Sequence, residues 1–295
     1  MLFLLRWLAR RSLRTLHALG AAAGWLAWAA SLSYRQRLRA NADAAGVPPP
    51  LQRQAIAEAG KMALEGLRLW FRPPGQPIAD PVHWSGAEHV DEALREGRGL
   101  ILLTPHLGSF ELSAQAYAER WGAQRPITVL YRPARHPWLR QLEESARARP
   151  ALATAPATLA GVRQMLRALR RGEAVGLLPD QVPPHGQGVW ADFFGRPAYT
   201  MTLAARLAQQ SGAPILVARC ERLPAGRGFD LHVKRLDEAL PTSGGDPAAL
   251  AQAQATAINR AMQQQILQCP QQYLWGYNRY KSPRDAPVHD GTAAP

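Results

Sequence analysis

The sequence has only two cysteines, Cys220 and Cys269, far apart and without metal-ligand spacing. That excludes a disulfide-stapled scaffold and a zinc module, and it leaves two free thiols suited to a reducing compartment. Acidic residues are missing from the first 42 positions, where Asp43 is the first, while Arg6, Arg10, Arg11, Arg14, Arg35, Arg37 and Arg39 accumulate. An ordinary core helix does not account for so many flanking arginines without one acid. There is no internal repeat, and no nucleic-acid motif accompanies the basic residues. A long leucine-rich run is missing too. Residues 16–32 are barely long enough to span a bilayer and are rich in Ala and Gly.

What is present is positive charge and length. The formal net charge is +13 with a pI near 10.7 over 295 residues, enough to bury a large core. Such a balance points to an acidic partner. Residues 1–40 read as a basic amphiphilic membrane-anchoring segment ahead of an α/β domain over 41–295. Its helix is expected to lie in an anionic leaflet with Trp7, Trp25 and Trp28 near the headgroups. A single span is the second reading, and a signal peptide cut near Ala29-Ala30 the third.

The chemistry concentrates in residues 99–111, Gly-Leu-Ile-Leu-Leu-Thr-Pro-His-Leu-Gly-Ser-Phe-Glu. Leu100 to Leu103 form an apolar run typical of a strand buried on both faces. Gly108-Ser109 then opens a helix. His106 falls on the turn at the strand's carboxyl end, where open α/β sheets bind ligands. Glu111 falls in the first helical turn, beside the positive end of the dipole. Because His106 precedes the helix, the turn is expected to fold it back over Glu111, which would fix the tautomer and leave the other nitrogen as a general base.

Elsewhere the pattern predicts helices near 51–71, 87–96, 159–171, 200–211 and 248–268. It predicts strands near 82–86, 126–131, 174–178, 214–222 and 229–236, with residues 183–198 as a Gly/Pro-rich loop. This alternation implies an α/β fold with a mainly parallel central sheet flanked by helices. Three strands end in polar residues, His106, Arg132 and Asp180, and a parallel sheet would bring them to one edge.

The stretches Thr104-Pro-His-Leu-Gly-Ser-Phe-Glu111, Tyr131-Arg-Pro133, Pro179-Asp-Gln181, Phe193-Phe-Gly-Arg-Pro-Ala198 and Tyr273-Leu-Trp-Gly-Tyr-Asn-Arg-Tyr-Lys281 carry a resemblance. In order and spacing they resemble the lipid A biosynthesis acyltransferases, the lauroyl/myristoyl transferase family. More distantly they resemble the glycerolipid acyltransferases that share His-x4-Asp/Glu. The latter's Glu-Gly-Thr-Arg block is replaced here by Pro-Asp-Gln. The sequence also departs at Gly188-Val-Trp-Ala-Asp192, where the family often runs Gly-x-Phe-x-x-Val-Pro.

The resemblance implies an enzyme on the cytoplasmic face of the inner membrane. It would move a fatty acyl group from acyl carrier protein to a hydroxyl of a lipid A precursor, with anionic inner-membrane lipid as a further partner. His106 would be the base and Glu111 would orient it. No Ser or Cys nucleophile stands at the motif; direct transfer needs none, nor a cofactor or metal. The Gly108 and Ser109 N–H groups at the helix start are expected to meet the oxyanion. Arg132 would hold phosphate or developing charge, and Asp180 would position Arg132 or the substrate. Trp190, Phe193 and Phe194 are candidates for an acyl-chain groove. Two alternatives stand beside this reading: another lipid acceptor (lysophospholipid, aminolipid or mannosylated lipid), and a non-catalytic protein that grips membrane or anions.

Overall fold

The computed structural model describes residues 2–73, 75–131, 149–242 and 246–283. Four helices lead: α1 (Leu2–Ala9), α2 (Leu13–Ala30), α3 (Leu32–Ala44) and α4 (Pro49–Trp70). An alternating series follows: β1 (Val82–Ser85), α5 (Ala87–Arg95), β2 (Leu100–Leu103), α6 (Phe110–Trp121), β3 (Ile127–Tyr131) and β4 (Leu152–Pro156). It continues as α7 (Leu159–Arg170), β5 (Ala174–Leu177), β6 (Gly188–Phe193), β7 (Arg196–Met201) and α8 (Leu203–Ser211). The series ends with β8 (Ile215–Arg222), β9 (Phe229–Arg235) and α9 (Pro247–Gln268).

Seven strands form one sheet in the order β1-β9-β8-β2-β5-β3-β4, parallel except where β8 meets β9. The expected mainly parallel α/β sheet is what the chain builds. Leu100-Ile-Leu-Leu103 alternates between its faces, as a pleated strand must. Leu100 and Leu102 pack with Val90 and Ala93 of α5 and Leu112, Ala116 and Tyr117 of α6. Ile101 and Leu103 pack with Met165 of α7, Leu207 of α8 and Ile258 of α9. Helices on both faces explain why β2 shows no polar alternation.

Two elements differ from the sequence pattern. Strand β4 is not signalled by it. Residues 183–198, expected as a loop, contain β6 and the start of β7, paired as an antiparallel hairpin with Phe193 opposite Arg196. Their two-residue turn has φ of +52° at Phe194 and +70° at Gly195. A type I′ hairpin turn needs positive φ at both central residues, and glycine at the second meets that demand without strain.

The amino terminus is not a detached anchor. α2 lies against α4 so closely that a Cβ on Gly60 would fall on the Gly20 carbonyl, and one on Gly24 on the Ile56 carbonyl. Leu13, Leu16 and His17 are buried in the same contact, and Leu38 and Ala42 of α3 join the main core. Helices α2 and α3 are thus integral to the folded body. Among the described residues, no helix is long and apolar enough to cross a membrane.

Candidate active site

Strands β2 and β5 are parallel neighbours in register Leu103 to Leu177, and the Thr104 N–H still bonds the Leu177 carbonyl at 3.2 Å. Three residues past each of these paired positions stand His106 and Asp180. The register therefore delivers the two side chains to the same point on the sheet's carboxyl edge, the expected ligand edge of an open sheet. His106 Nδ1 lies 2.7 Å from Asp180 Oδ1, and the His106 backbone N–H donates to Asp180 Oδ2 at 2.9 Å. The Asp180 side chain is 1% exposed and that of His106 15%.

An ionised carboxylate only accepts, so Nδ1 carries the ring proton and Nε2 presents its lone pair. Burial alone would raise the Asp180 carboxyl. Electrostatic attraction to His106, the hydrogen bonds from its ring and backbone N–H, and Arg279 farther off outweigh burial and bring it below its usual value. The lone pair of Nε2 meets the Gln181 side-chain amide, whose Nε2 lies 2.9 Å away. The Phe110 ring packs on the imidazole at 4.8 Å between centroids.

This corrects the expected pairing of His106 with Glu111. Both ring nitrogens are occupied, one by Asp180 and the other by Gln181, so Glu111 is not the residue that orients the ring. Glu111 sits in the first turn of α6 as expected, and its Oε2 accepts the Trp70 indole N–H at 2.5 Å. That bond ties the end of α4 to the helix beneath the site. Arg132 lies outside the described residues.

The turn between β2 and α6 is held from two sides. Gly108 N–H donates to the Gln272 carbonyl at 3.0 Å and Ser109 N–H to the Cys220 carbonyl at 2.9 Å. Leu274 N–H donates to the His106 carbonyl at 3.1 Å. Gly108 has φ +57°, and a Cβ there would fall on the Cys220 carbonyl, so only glycine allows this approach. The consequence corrects a second expectation: the N–H groups of Gly108 and Ser109 are already committed and do not await an oxyanion.

Behind the turn lies a buried polar cluster that nothing in the sequence pattern signals. Arg222, at the end of β8, grips Glu65 of α4 through Nε at 2.7 Å and Nη2 at 2.6 Å, and reaches Glu58 through Nη1 at 2.5 Å. His17 of α2 bonds Glu65 at 2.9 Å. The Gln272 side chain accepts from the Arg222 N–H at 2.8 Å and donates to the Arg222 carbonyl at 2.9 Å. With its own carbonyl on Gly108, Gln272 connects this cluster to the turn that carries His106.

The aromatic candidates divide. Phe193 is 1% exposed, beneath the Arg279 guanidinium at 5.0 Å, and its carbonyl accepts the Tyr280 hydroxyl at 2.9 Å. It is a core residue. Phe194 is half-buried between Phe193 and Trp275, while Trp190 is 44% exposed on the hairpin. Arg279 bonds the Tyr199 carbonyl at 2.7 Å and Thr200 Oγ1 at 2.6 Å, fixing the carboxyl-terminal motif on β7.

A mainly parallel sheet carrying a His–Asp pair at its carboxyl edge suits direct group transfer by a general base. The chain belongs to the bacterial lipid A biosynthesis acyltransferase family, whose model matches residues 1–282. It is 29% identical to the lipid A biosynthesis lauroyltransferase of Escherichia coli K12 over 224 residues, 76% of this chain and 69% of that one. It is 26% identical to the palmitoleoyltransferase of the same organism over 226 residues, again 76% and 69%. A phosphatidylinositol mannoside acyltransferase of Mycobacterium tuberculosis H37Rv is 26% identical over 219 residues, 72% of this chain and 65% of that one. These matches put the protein among the acyltransferases of lipid A biosynthesis.

Proposed function

We propose that the protein transfers a fatty acyl chain from acyl carrier protein to a hydroxyl of a lipid A precursor at the cytoplasmic face of the inner membrane. The observation that carries this reading is the His106–Asp180 pair, with Nδ1 held at 2.7 Å so that Nε2 is the base. His106 would take the acceptor's hydroxyl proton as the oxygen attacks the thioester carbonyl, and return it to the departing thiolate. Arg132 remains the candidate for holding the substrate's phosphate or developing negative charge. The decisive experiment is mass spectrometry of lipid A from cells with and without the gene, complemented by wild type or His106→Ala. A chain added by the wild type alone supports the reading; identical lipid A in all strains refutes it.

A membrane location is supported by where apolar surface lies. Among the described residues, exposed large hydrophobic side chains concentrate in the first helices: Phe3, Leu4 and Trp7 of α1, Leu19, Trp25 and Leu26 of α2, and Leu32. The inner face of α2 is taken by α4, so its outer face is the one left for lipid, with arginines on either side in sequence. α2 also touches the β8–β9 turn, where a Cβ on Gly226 would fall 2.4 Å from the Arg14 backbone nitrogen. β8 ends at the same edge as β2, so the lipid-facing helices border the edge that carries His106. Trp25→Ser with Leu26→Asp is expected to weaken binding to anionic phospholipid vesicles by more than about tenfold without lowering the thermal midpoint.

The acyl carrier reading rests on α7, which exposes Arg163, Arg167 and Arg170 along one stripe. Its amino-terminal end follows β4 and lies at the carboxyl edge of the sheet. An acidic carrier steered by this stripe makes transfer salt-sensitive. Rates with acylated carrier protein are expected to fall more steeply with salt than rates with acyl-CoA. Arg163→Glu with Arg167→Glu should remove that difference. Equal salt slopes in the wild type would reassign the stripe.

A further inference from the structure

The reaction above turns a thioester carbonyl into an oxyanion, which needs a hydrogen-bond donor beside the base. The backbone of the turn does not offer one between His106 and Ser109. His106 N–H is on Asp180 Oδ2 at 2.9 Å and Leu107 N–H on the Pro105 carbonyl at 2.7 Å. Gly108 N–H is on Gln272 and Ser109 N–H on Cys220. Four successive donors are engaged inside the fold. The side chain that does present N–H at the reactive nitrogen is Gln181, 2.9 Å from His106 Nε2.

Resting on the His106 base reading, we propose that Gln181 is a catalytic residue that donates the hydrogen bond holding the oxyanion. Asp180 keeps the proton on Nδ1, so the contact at Nε2 is an amide N–H donating to a bare imidazole nitrogen. The acceptor hydroxyl needs that same lone pair and displaces the amide when it binds. The displaced amide keeps its N–H groups within a side chain's reach of the reacting carbon. Its backbone is fixed on both sides, by Asp180 in the pair and by the Val182 N–H on the Tyr277 hydroxyl at 3.0 Å.

The step balances without a further reactant. The acceptor O–H bond breaks and its proton goes to Nε2, while the oxygen forms the new bond to the thioester carbon. The carbonyl π pair moves to its oxygen, where a Gln181 N–H holds it. Collapse restores the carbonyl and breaks the C–S bond. The thiolate then takes the proton from Nε2, leaving ester, thiol and neutral His106. Gln181 meets the carbonyl oxygen more strongly as it becomes charged, so its effect belongs in kcat.

The test is steady-state kinetics with acylated carrier protein and a lipid A precursor, on the full chain, for Gln181→Met, Gln181→Glu and His106→Ala. Met keeps the length of Gln and removes the donor. It is expected to lower kcat by about 10²–10³-fold with KM changed only a few-fold and the pH profile in place. Glu nearly preserves the shape but places a carboxylate against the imidazole. It should lose as much activity and move the acid limb to higher pH. Thermal unfolding identifies a variant that does not fold, and the near-isosteric Glu variant then carries the test. Near wild-type kcat in folded Gln181→Met and Gln181→Glu, with His106→Ala inactive, overturns the oxyanion role and leaves the base in place. A rise in KM alone overturns it as well, since that marks ground-state binding. Full activity in all three variants refutes the base reading itself.

Discussion

Asp180→Asn is expected to lower turnover by about 10²–10⁴-fold while leaving the fold intact. The aspartate accepts two hydrogen bonds with two oxygens, from the His106 backbone N–H at 2.9 Å and from Nδ1 at 2.7 Å. Asparagine has one oxygen and one NH₂. If its oxygen keeps the backbone N–H, its amide donates to Nδ1, and the ring proton moves to Nε2 where the acceptor hydroxyl must bind. If the amide turns over, two donors face each other at the backbone. Either arrangement removes the base or the geometry of the turn. His106→Ala should cost a similar factor, and the double variant no more than the worse single one, because the pair acts as a unit. Additive losses, or a Asp180→Asn protein within a few-fold of wild type, would contradict the pair. Acid should act in the same direction. The Asp180 carboxyl lies below its usual value, so its contribution to stability is complete above the unfolded value near 4 and fades as pH falls through the folded one.

The parts of this site differ in how far they were legible beforehand. Leu100-Ile-Leu-Leu103 and Ala174-Val-Gly-Leu177 announce strands buried on two faces, and the polar residues just after them announce an edge with chemistry. The partner of His106 was not legible in the same way. Glu111 is five residues away and Asp180 seventy-four, and only the pairing of β2 with β5 decides between them. Local sequence carries no sheet order. The amino-terminal segment misleads for a related reason: Gly20 and Gly24 form a small face readable from the spacing, but its counterpart Gly60 does not stand out among other glycines. Arginines without acids suggested a membrane-anchoring segment, and the acid that binds it to the fold, Glu65, comes from the next helix but one. The hairpin β6–β7 was hidden by Pro183, Pro184, Gly186 and Gly188, whose turn chemistry extends only to the start of β6.

Arg222→Met is expected to be the most destabilising single change outside the site. Arg222 and Glu65 are both buried, and the substitution takes the shared guanidinium from Glu65 and Glu58, leaving Glu58 to Lys61 and Glu65 with His17 alone. Breaking a buried pair in this way costs about 3–5 kcal/mol, a large part of the about 5–15 kcal/mol that holds a domain folded. In the wild type, burial would raise the Glu65 carboxyl, but Arg222 foremost, with His17, brings it below its usual value. Removing Arg222 leaves burial to dominate, so the carboxyl rises above its unfolded value near 4.3. The sign then reverses: Glu65 adds stability above that value in the wild type and subtracts it in the variant until protonated. The stability deficit in urea unfolding should therefore shrink as pH is lowered from 7 towards 5, whereas a lost packing contact gives a deficit that does not change with pH. Arg222→Met combined with Glu65→Leu should recover part of the loss, because an apolar pair leaves one fewer buried charge. Turnover should fall with stability, since Gln272 bonds both the Arg222 backbone and the Gly108 N–H of the turn that carries His106. A deficit that stays constant with pH, or a fully stable Arg222→Met protein, would remove this cluster from the account of how the amino-terminal helices are joined to the site.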